Sequence, residues 1–396
     1  MENKKFRNFY RWLFFTAFLP YLAYIFPEAL GAIAGFNITG WAWLLMLFVA
    51  SYYMVTLRVK RSFPLFFWLP WVAYLLFSLA VDFSFYGLQL TLQYMLPVIV
   101  GFVASGFSYD KEMLHWLYTN MLLLCGVIAI LFIVGFVFSN GYTPFAAFTP
   151  MMMAVMAAIS IGAFYITKQI RFLIVYALLF LIPFFDVTRM AMLVFMFILI
   201  MHFANRNIIY KTLFGTVGVL LALFVFNSKG FQEKTFFSGV GQLSDLESNI
   251  NYYDENSIFN SSGRARFFKY YENGLKAEPI FGNGPRADLR VLESIVDTGF
   301  SEAHNDYISV RYNYGYVGLG FLLFGFLATF ISLYSKFMNE KNMYKMLLQS
   351  SALTLTLGLL MAMYSENMLK STVFFTDFYF ALLGMVFGSF DNKTES

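Results

Sequence analysis

Long apolar runs alternate with short polar connections over most of the chain. A helix needs roughly 20 apolar residues to cross the hydrocarbon core of a bilayer. Twelve runs predict such helices, near residues 10–28, 36–57, 63–81, 88–107, 116–138, 144–166, 171–186, 189–205, 209–227, 306–334, 344–364 and 371–390. The seventh and eighth runs are short and closely joined. One continuous helix would put Asp186 and Arg189 at the bilayer centre, so two helices are predicted there.

The same pattern divides the chain into three regions. Residues 1–227 hold the predicted transmembrane helices 1–9, residues 228–303 form a large polar segment, and residues 304–396 hold helices 10–12. The polar segment carries Phe, Tyr and Leu throughout, so it is not a flexible linker. A short predicted helix runs from Arg264 to about Lys276, with Ser262 as candidate N-cap and Pro279 beyond its end. One side of that helix is apolar, through Phe267, Phe268, Tyr271 and Leu275.

Composition agrees with a membrane protein. The 396 residues are 59% hydrophobic and 13% charged, whereas soluble domains carry about 25% charged residues. We therefore expect an all-α integral membrane protein. No basic run suggests nucleic-acid binding, and the single cysteine, Cys125, excludes an intramolecular disulfide.

The placement of lysine and arginine predicts the orientation. With the N-terminus inside, sixteen of the 27 basic residues fall in cytoplasmic segments, and the short outer loops hold only Arg189 and Lys370. An even number of helices returns the C-terminus to the cytoplasm. The first run continues without a small-residue cleavage site, so we expect an uncleaved signal anchor. The large segment is then extracytoplasmic.

One histidine stands out in this topology. The chain has three histidines, and only His304 falls outside the membrane on the outer side, just after the arginine-bearing stretch from Arg264 to Arg290. A titratable base near fixed cations at a membrane surface predicts chemistry on a lipid-linked anion. A purely structural role for His304 is the alternative, and His115 and His202 are read as structural.

Further charged residues are predicted on the outer side. Arg189 lies in an outer hairpin, although arginines favour the cytoplasmic side, and this placement favours a functional role. The alternative is an ordinary loop arginine whose side chain extends to the membrane surface. Arg264 and Arg266 are read either as one arginine facing the site and one facing water, or as a solvated helix start. If the chain is already helical at His304, then His304 and Arg311, seven residues later, share one helical face.

The sequence predicts neither a metal nor a cofactor. The acidic stretch Asp245, Glu247, Asp254 and Glu255 lacks the glycine and the ligand spacing of a calcium loop. No Asp-X-Asp pair occurs in the chain. We interpret the stretch as solvated.

Four motifs together resemble one family. They are Asp186-Val187-Thr188-Arg189, Ser262-Gly263-Arg264, Glu278-Pro279-Ile280-Phe281-Gly282-Asn283-Gly284, and His304-Asn305-Asp306-Tyr307-Ile308 with Gly315 and Gly318. The pattern is similar to the O-antigen polymerase and O-antigen ligase family, which also has twelve spans and a large outer loop before the tenth. One departure is Met190, where the family usually has a small residue.

The resemblance implies a bacterial inner-membrane, GT-C-like inverting glycosyltransferase that uses an undecaprenyl diphosphate-linked glycan. Arg189 and Arg264 would correspond to the family's loop arginines and His304 to its histidine. Arginine forks suit a leaving diphosphate, and histidine suits a general base near neutral pH. Asn305 would orient the ring or the acceptor, while Arg266 and Arg311 would contact phosphate or glycan.

Three functions remain open at this point. A polymerase would extend a lipid-linked repeat unit, whereas a ligase would move the finished glycan to lipid A core or a protein; no motif separates the two. Expected partners are the lipid-linked oligosaccharide, membrane lipid, a flippase and a chain-length regulator. A transporter is the third reading, because Asp186, Arg189, Arg311 and Asp377 could line a path.

Overall fold

The computed structural model describes residues 2–26, 32–33, 36–57, 61–138, 145, 148–185, 187–236, 238–242, 264–293 and 303–390. Within these ranges the chain is almost entirely helical. Strands occur there as two short pairs. β1 (Ala32–Ile33) pairs antiparallel with β2 (Phe36–Asn37), and β3 (Ser108–Tyr109) pairs in parallel with β4 (Ser389–Phe390). The predicted all-α class is confirmed.

A helix occupies each of the twelve predicted ranges. The first nine are α1 Glu2–Ile25, α2 Ile38–Thr56, α3 Leu65–Val81, α4 Phe85–Ala104, α5 Lys111–Phe138, α6 Phe148–Thr167, α7 Ile170–Phe185, α8 Arg189–Met201 and α9 Ile208–Phe226. The described part of the polar segment holds α10 Lys229–Thr235, α11 Arg264–Ala277 and α12 Ala287–Glu293. The chain then continues through α13 Asp306–Asn339, α14 Met343–Ala362 and α15 Thr376–Phe387.

Within the described ranges, seven helices are long and apolar enough to cross a membrane. They are α2, α4, α5, α6, α9, α13 and α14. Four others, α3, α7, α8 and α15, are apolar but have 17 residues or fewer. The chain is therefore a multi-pass membrane protein. Twelve crossings and a GT-C-like arrangement stay predictions.

The centre of the bundle is formed by α6 and α15, which are buried almost all round. Close packing of α15 on α4 depends on small residues, since a Cβ on Gly384 would collide with the carbonyl oxygen of Gly101. The hydrophobic effect does not drive helices together in a bilayer, because the surrounding lipid is itself apolar. Close packing at small residues therefore stabilises the contact between α4 and α15.

Helices α13 and α14 define the two ends of the bundle used below. We call the end that carries α11, α12 and the start of α13 the loop end. The end that carries Met343, at the start of α14, is the distal end. The twenty residues of α14 separate the two ends by about 30 Å at about 1.5 Å per residue.

Helix α13 is broken at Gly315, where φ is 64° and ψ is −167°. This backbone conformation is essentially restricted to glycine. The break frees backbone groups that would otherwise need a partner inside the membrane. A turn from the polar segment, residues 278–284, supplies those partners.

Backbone hydrogen bonds join this turn to both sides of the break. On the far side Tyr316 N donates to Pro279 O (2.9 Å) and Val317 N to Ile280 O (3.1 Å); on the near side Asn283 N donates to Tyr312 O (2.9 Å) and Gly284 N to Asn313 O (3.0 Å). These residues, one of the four family motifs, thus pack as part of the helix bundle.

Candidate functional site

Helices α11 and α12 pack against the first turns of α13. Their small apolar cluster contains Tyr271, Leu275, Ala287, Ala303 and Tyr312, and the rings of Tyr271 and Tyr312 lie 5.1 Å apart. The predicted helix is confirmed, as is the apolar face for Tyr271 and Leu275. The side chains of Phe267 and Phe268 lie outside the described residues. Helices α11 and α12 therefore form a packed wall, the α11 wall, against the start of α13.

His304 lies just before α13, in a left-handed backbone conformation with φ of 48°. The helix begins at Asp306, and Asn305 is its N-cap, with Oδ1 accepting from Ile308 N at 3.0 Å. The predicted shared helical face of His304 and Arg311 is therefore wrong, because His304 precedes the helix. The side-chain oxygen of Asn305 is therefore hydrogen-bonded to the helix backbone.

The start of α13 is fixed to the connection between α14 and α15, residues 363–375, which we call the 363–375 turn. Asp306 N donates to Met363 O at 2.8 Å, and the buried Asp306 carboxylate accepts from Leu369 N at 3.0 Å. These bonds hold residues 363–369 beside His304. The turn thus contributes side chains to the same end of the bundle.

Glu366 is the side chain from this turn that meets the histidine. Its Oε2 lies 3.4 Å from His304 Nδ1, and the two side chains are 10% and 34% exposed. A buried carboxylate beside Nδ1 selects the tautomer and the orientation of the ring. Because the ring is the more accessible partner, this arrangement can act as an oriented base.

A second charged pair supports the site from behind. Lys370 Nζ lies 2.7 Å from Asp288 Oδ2, with both side chains buried, and Ser309 Oγ donates to the same oxygen at 2.5 Å. Burial opposes ionisation of Asp288. Lys370 and Arg286 outweigh that effect and lower its pKa from 3.8 to about 2. The pair joins α12, α13 and the 363–375 turn.

The remaining loop-end arginines of α12 and the preceding turn contact carboxylates. Arg290 Nη2 lies 2.9 Å from Asp82 Oδ2, after α3, and Arg286 Nη1 lies 3.7 Å from Asp288 Oδ1. Both have structural partners. They are poorer candidates for a substrate diphosphate.

Arg189 is the first residue of α8 and is half-buried. Helix α8 runs antiparallel to α14: Val194 Cγ1 lies 3.2 Å from where a Cβ on Gly358 would be, and Phe203 N, just after α8, donates to Thr354 Oγ1 at 3.3 Å. Arg189 is consequently at the loop end, as is His304. Val187, two residues earlier, has φ of 51°, which is unfavourable for a β-branched residue. Asp186 lies outside the described residues.

The other predicted arginines are less completely defined. Arg264 and Arg266 begin α11 at the loop end, and their side chains lie outside the described residues. The Arg311 guanidinium carbon is 4.4 Å from the centroid of the Tyr316 ring. Its buried Nε has no hydrogen-bond partner within the described ranges.

Backbone strain is concentrated near the candidate residues. Five non-glycine residues in the described ranges have positive φ, and three of them, Val187, Arg286 and His304, are at the loop end. Such conformations cost about 1–3 kcal/mol each and persist where the surroundings impose them. The fold therefore holds the histidine and the Arg189 hairpin in fixed, unfavourable conformations.

The other two histidines lie towards the distal end. His202 is buried, with Nε2 3.0 Å from Ala158 O, and His115 is exposed on α5. Within the described ranges no group of three or more His, Cys, Asp or Glu side chains could hold a metal ion. The acidic stretch 245–255 lies outside them.

Sequence reasoning missed Glu366 and the Asp288–Lys370 pair. Ser365-Glu366-Asn367 is a polar run between two predicted spans, and this was the available signal for Glu366. The partner of Lys370 lies 82 residues earlier. No local spacing reports such a contact.

A model of the O-antigen ligase family matches residues 174–324, which run from α7 into the middle of α13. The matched range contains Arg189, Arg264, His304 and Gly315, and it covers less than half of the chain. No curated protein matches the chain. The family resemblance carried by the motifs is confirmed. It supports a glycosyltransferase-like enzyme of O-antigen ligase or polymerase type in the inner membrane.

Proposed function

We propose that this protein is a polysaccharide polymerase. It transfers a growing glycan from undecaprenyl diphosphate to the non-reducing end of a lipid-linked repeat unit, with inversion at the anomeric carbon and without a metal ion. The reaction takes place at the loop end, which faces the extracytoplasmic side. Both termini are then cytoplasmic.

The observation that carries the proposal is the contact between His304 and Glu366, 3.4 Å between Nδ1 and Oε2. With Nδ1–H directed at the carboxylate, Nε2 takes the proton of the acceptor hydroxyl. The hydroxyl oxygen forms a bond to the anomeric carbon as the bond from that carbon to the diphosphate oxygen breaks. Glu366 stabilises the imidazolium formed in this step.

The leaving diphosphate needs positive charge, which we assign to Arg189 and Arg264. Planar guanidinium groups bind phosphate oxygens through two parallel hydrogen bonds. Arg189 is supported by its half-buried position at the loop end and Arg264 by its position at the start of α11. Arg266, Asn305 and Arg311 are assigned to flanking phosphate or sugar groups.

The α11 wall gives the two halves of the donor separate surroundings. Tyr271 and Leu275 are buried against α13, so the helix is packed on the loop end of the bundle. The glycan would lie on the aqueous side of this wall, and the polyprenyl tail would remain in lipid. A flippase would deliver the donor, and a chain-length regulator would limit its extension.

The alternative within the same chemistry is a ligase that transfers the finished glycan to lipid A core or to a protein. The matching family model is described as O-antigen ligase, which favours this alternative. Both reactions use the same base and the same diphosphate contacts. They differ in the acceptor.

The transporter alternative is not supported by the positions of its charged residues. The large apolar cavity of the described residues opens near Lys111 and Met343, and Arg189, Arg311 and Asp377 do not line it. A transport path would need its charged residues along the cavity. Of the four charged residues named for transport, these three lie elsewhere, and Asp186 lies outside the described residues.

The deciding experiment uses purified protein in nanodiscs with a defined undecaprenyl diphosphate-linked repeat. A polymerase yields a ladder of lipid-linked products when the repeat is the sole glycan. A ligase yields one transfer, and only when lipid A core or an acceptor protein is added. Loss of wild-type activity on adding a chelator would contradict the metal-free mechanism.

A further inference from the structure

The apolar cavity that opens near Lys111 and Met343 lies between α1, α5, α6, α7, α14 and α15, at the distal end. Its volume is about 690 Å³, within the range of about 300–1,000 Å³ typical of ligand sites. Its inner wall is apolar, with Leu117, Val155, Ile159 and Leu382 among the lining side chains. It is a distinct site, because the length of α14 separates its opening from His304.

The opening of this cavity is polar and carries positive charge. Lys111 and His115, one turn apart on α5, and Arg171, in the first turn of α7, line it and are exposed. No aspartate or glutamate is among the lining residues. The nearby Glu112 is bound to Arg7, with 2.7 Å between Oε1 and Nη2. The cations at the opening are therefore not balanced by an acid of the cavity.

An apolar interior with cations at one end matches an anionic amphiphile. An acyl chain would make van der Waals contacts with the apolar side chains of the inner wall. A phosphate at the opening would be contacted by Lys111 and Arg171. A basic pocket between transmembrane helices near the membrane surface is a known way to bind lipid head groups.

We propose that this cavity binds one anionic phospholipid from the leaflet at the distal end. One acyl chain occupies the space between α5, α6 and α15, and the head-group phosphate lies between Lys111 and Arg171. A zwitterionic lipid offers the same chains without net negative charge. The positive charge at the opening therefore favours binding of an anionic lipid over a zwitterionic one.

The size of the preference follows from the two permanent cations. Each basic residue near a membrane surface contributes about 1 kcal/mol to binding an anionic lipid, or about fivefold in affinity. Removing both should lower retention of the anionic lipid by about 30-fold at low salt. Because the opening is exposed, raising the ionic strength should reduce the preference as well.

Native mass spectrometry of the delipidated full-length protein tests this. The probes are phosphatidylglycerol and phosphatidylcholine with identical chains, mixed at equal concentration. Wild type should retain one phosphatidylglycerol in preference to phosphatidylcholine. Lys111→Gln combined with Arg171→Gln should lose that preference. The control, Lys211→Gln with Lys341→Gln, removes the same charge from exposed residues outside the cavity.

A second variant separates the cavity from the surface charge. Ile159→Trp places a bulky ring among the lining residues and leaves Lys111 and Arg171 intact. It should lose the retained lipid while its thermal unfolding stays cooperative. The proposal is overturned if wild type retains both lipids equally, if the control pair loses the preference as fully as the cavity pair, or if a folded Ile159→Trp variant keeps the lipid.

Discussion

His304 and Glu366 are 62 residues apart in the chain, and His304 Nδ1 lies 3.4 Å from Glu366 Oε2. The contact depends on two backbone attachments, the Asp306 N–Met363 O bond and the Leu369 N–Asp306 carboxylate bond. A histidine with unfavourable φ is thus held against a buried acid by the junction of α13 with the 363–375 turn.

If His304 is the base, His304→Gln should lower kcat on a defined acceptor by about 10²–10⁴-fold, because glutamine keeps hydrogen bonding without basicity. Binding of the lipid-linked donor should be retained, as measured by filter retention or native mass spectrometry. A structural histidine would instead leave His304→Gln active and make His304→Ala misfold.

If Glu366 acts through His304, the two substitutions should not add. Glu366→Gln alone should lower kcat, and the double variant with His304→Gln should be no slower than His304→Gln by itself, since residues that act as a unit are non-additive. Single-turnover rates of the three variants provide the measurement. If the losses in rate from the two single substitutions multiplied in the double variant, Glu366 would act independently of His304.

Arg189→Lys and Arg264→Lys should each lose most activity while expression is kept. A lysine is a point charge and cannot form the planar two-bond contact with a diphosphate. The matched control is Arg206→Lys, whose arginine packs on Phe337 at 5.0 Å away from the loop end, and which should stay active. Full turnover in both loop-end lysine variants would refute the assignment.

Gly315→Ala should destabilise the protein markedly. The added Cβ would collide with Ile280 O, and φ of 64° is unfavourable for alanine; positive-φ strain alone costs about 1–3 kcal/mol. Gly320→Ala in the same helix meets no atom within 4 Å. It should be neutral or stabilising by about 0.5–1 kcal/mol. Thermal unfolding of the two variants in detergent makes the comparison, and similar midpoints would contradict the role of the break.

The Asp288–Lys370 pair predicts an acid-dependent loss of stability. The folded-state pKa of Asp288, about 2, lies below its ordinary value of 3.8. Its contribution is therefore present above about pH 4 and is lost as the pH falls through 2. The shift corresponds to about 2 kcal/mol. Hydrogen exchange of α12 and the start of α13 between pH 5 and 2 measures it.

The matched comparison is Asp288→Asn, which keeps the shape of the side chain and removes the titrating group. Exchange in that variant should be faster at pH 5 and should change less on acidification than in wild type. The same pH dependence in both proteins would mean that Asp288 does not carry the effect.

The helices were predictable from the sequence because a bilayer imposes a length on each apolar run. The same constraint located α7 and α8 as two helices, since Arg189 could not lie at the bilayer centre. Helix α11 was predictable from its apolar side and from Pro279. Its packing confirms Tyr271 and Leu275 as the buried face.

The site was only partly predictable, because its contacts join residues that no periodicity relates. His304 was found by its topology, but its left-handed backbone conformation was not predicted. The helix begins at Asp306, as the predicted span did, so His304 is not on the helical face considered for it. Glu366 and Lys370 meet partners 62 and 82 residues earlier. Such pairs depend on the tertiary arrangement alone.

The break in α13 bears on the order in which the protein assembles. The turn at residues 278–284 leaves the ribosome before Gly315, so the groups that complete the broken helix already exist when α13 enters the bilayer. A chain severed between Gly284 and Asp306 would have to insert α13 with exposed peptide groups in hydrocarbon, which is costly. We therefore expect stable insertion of α13 to depend on the segment made before it.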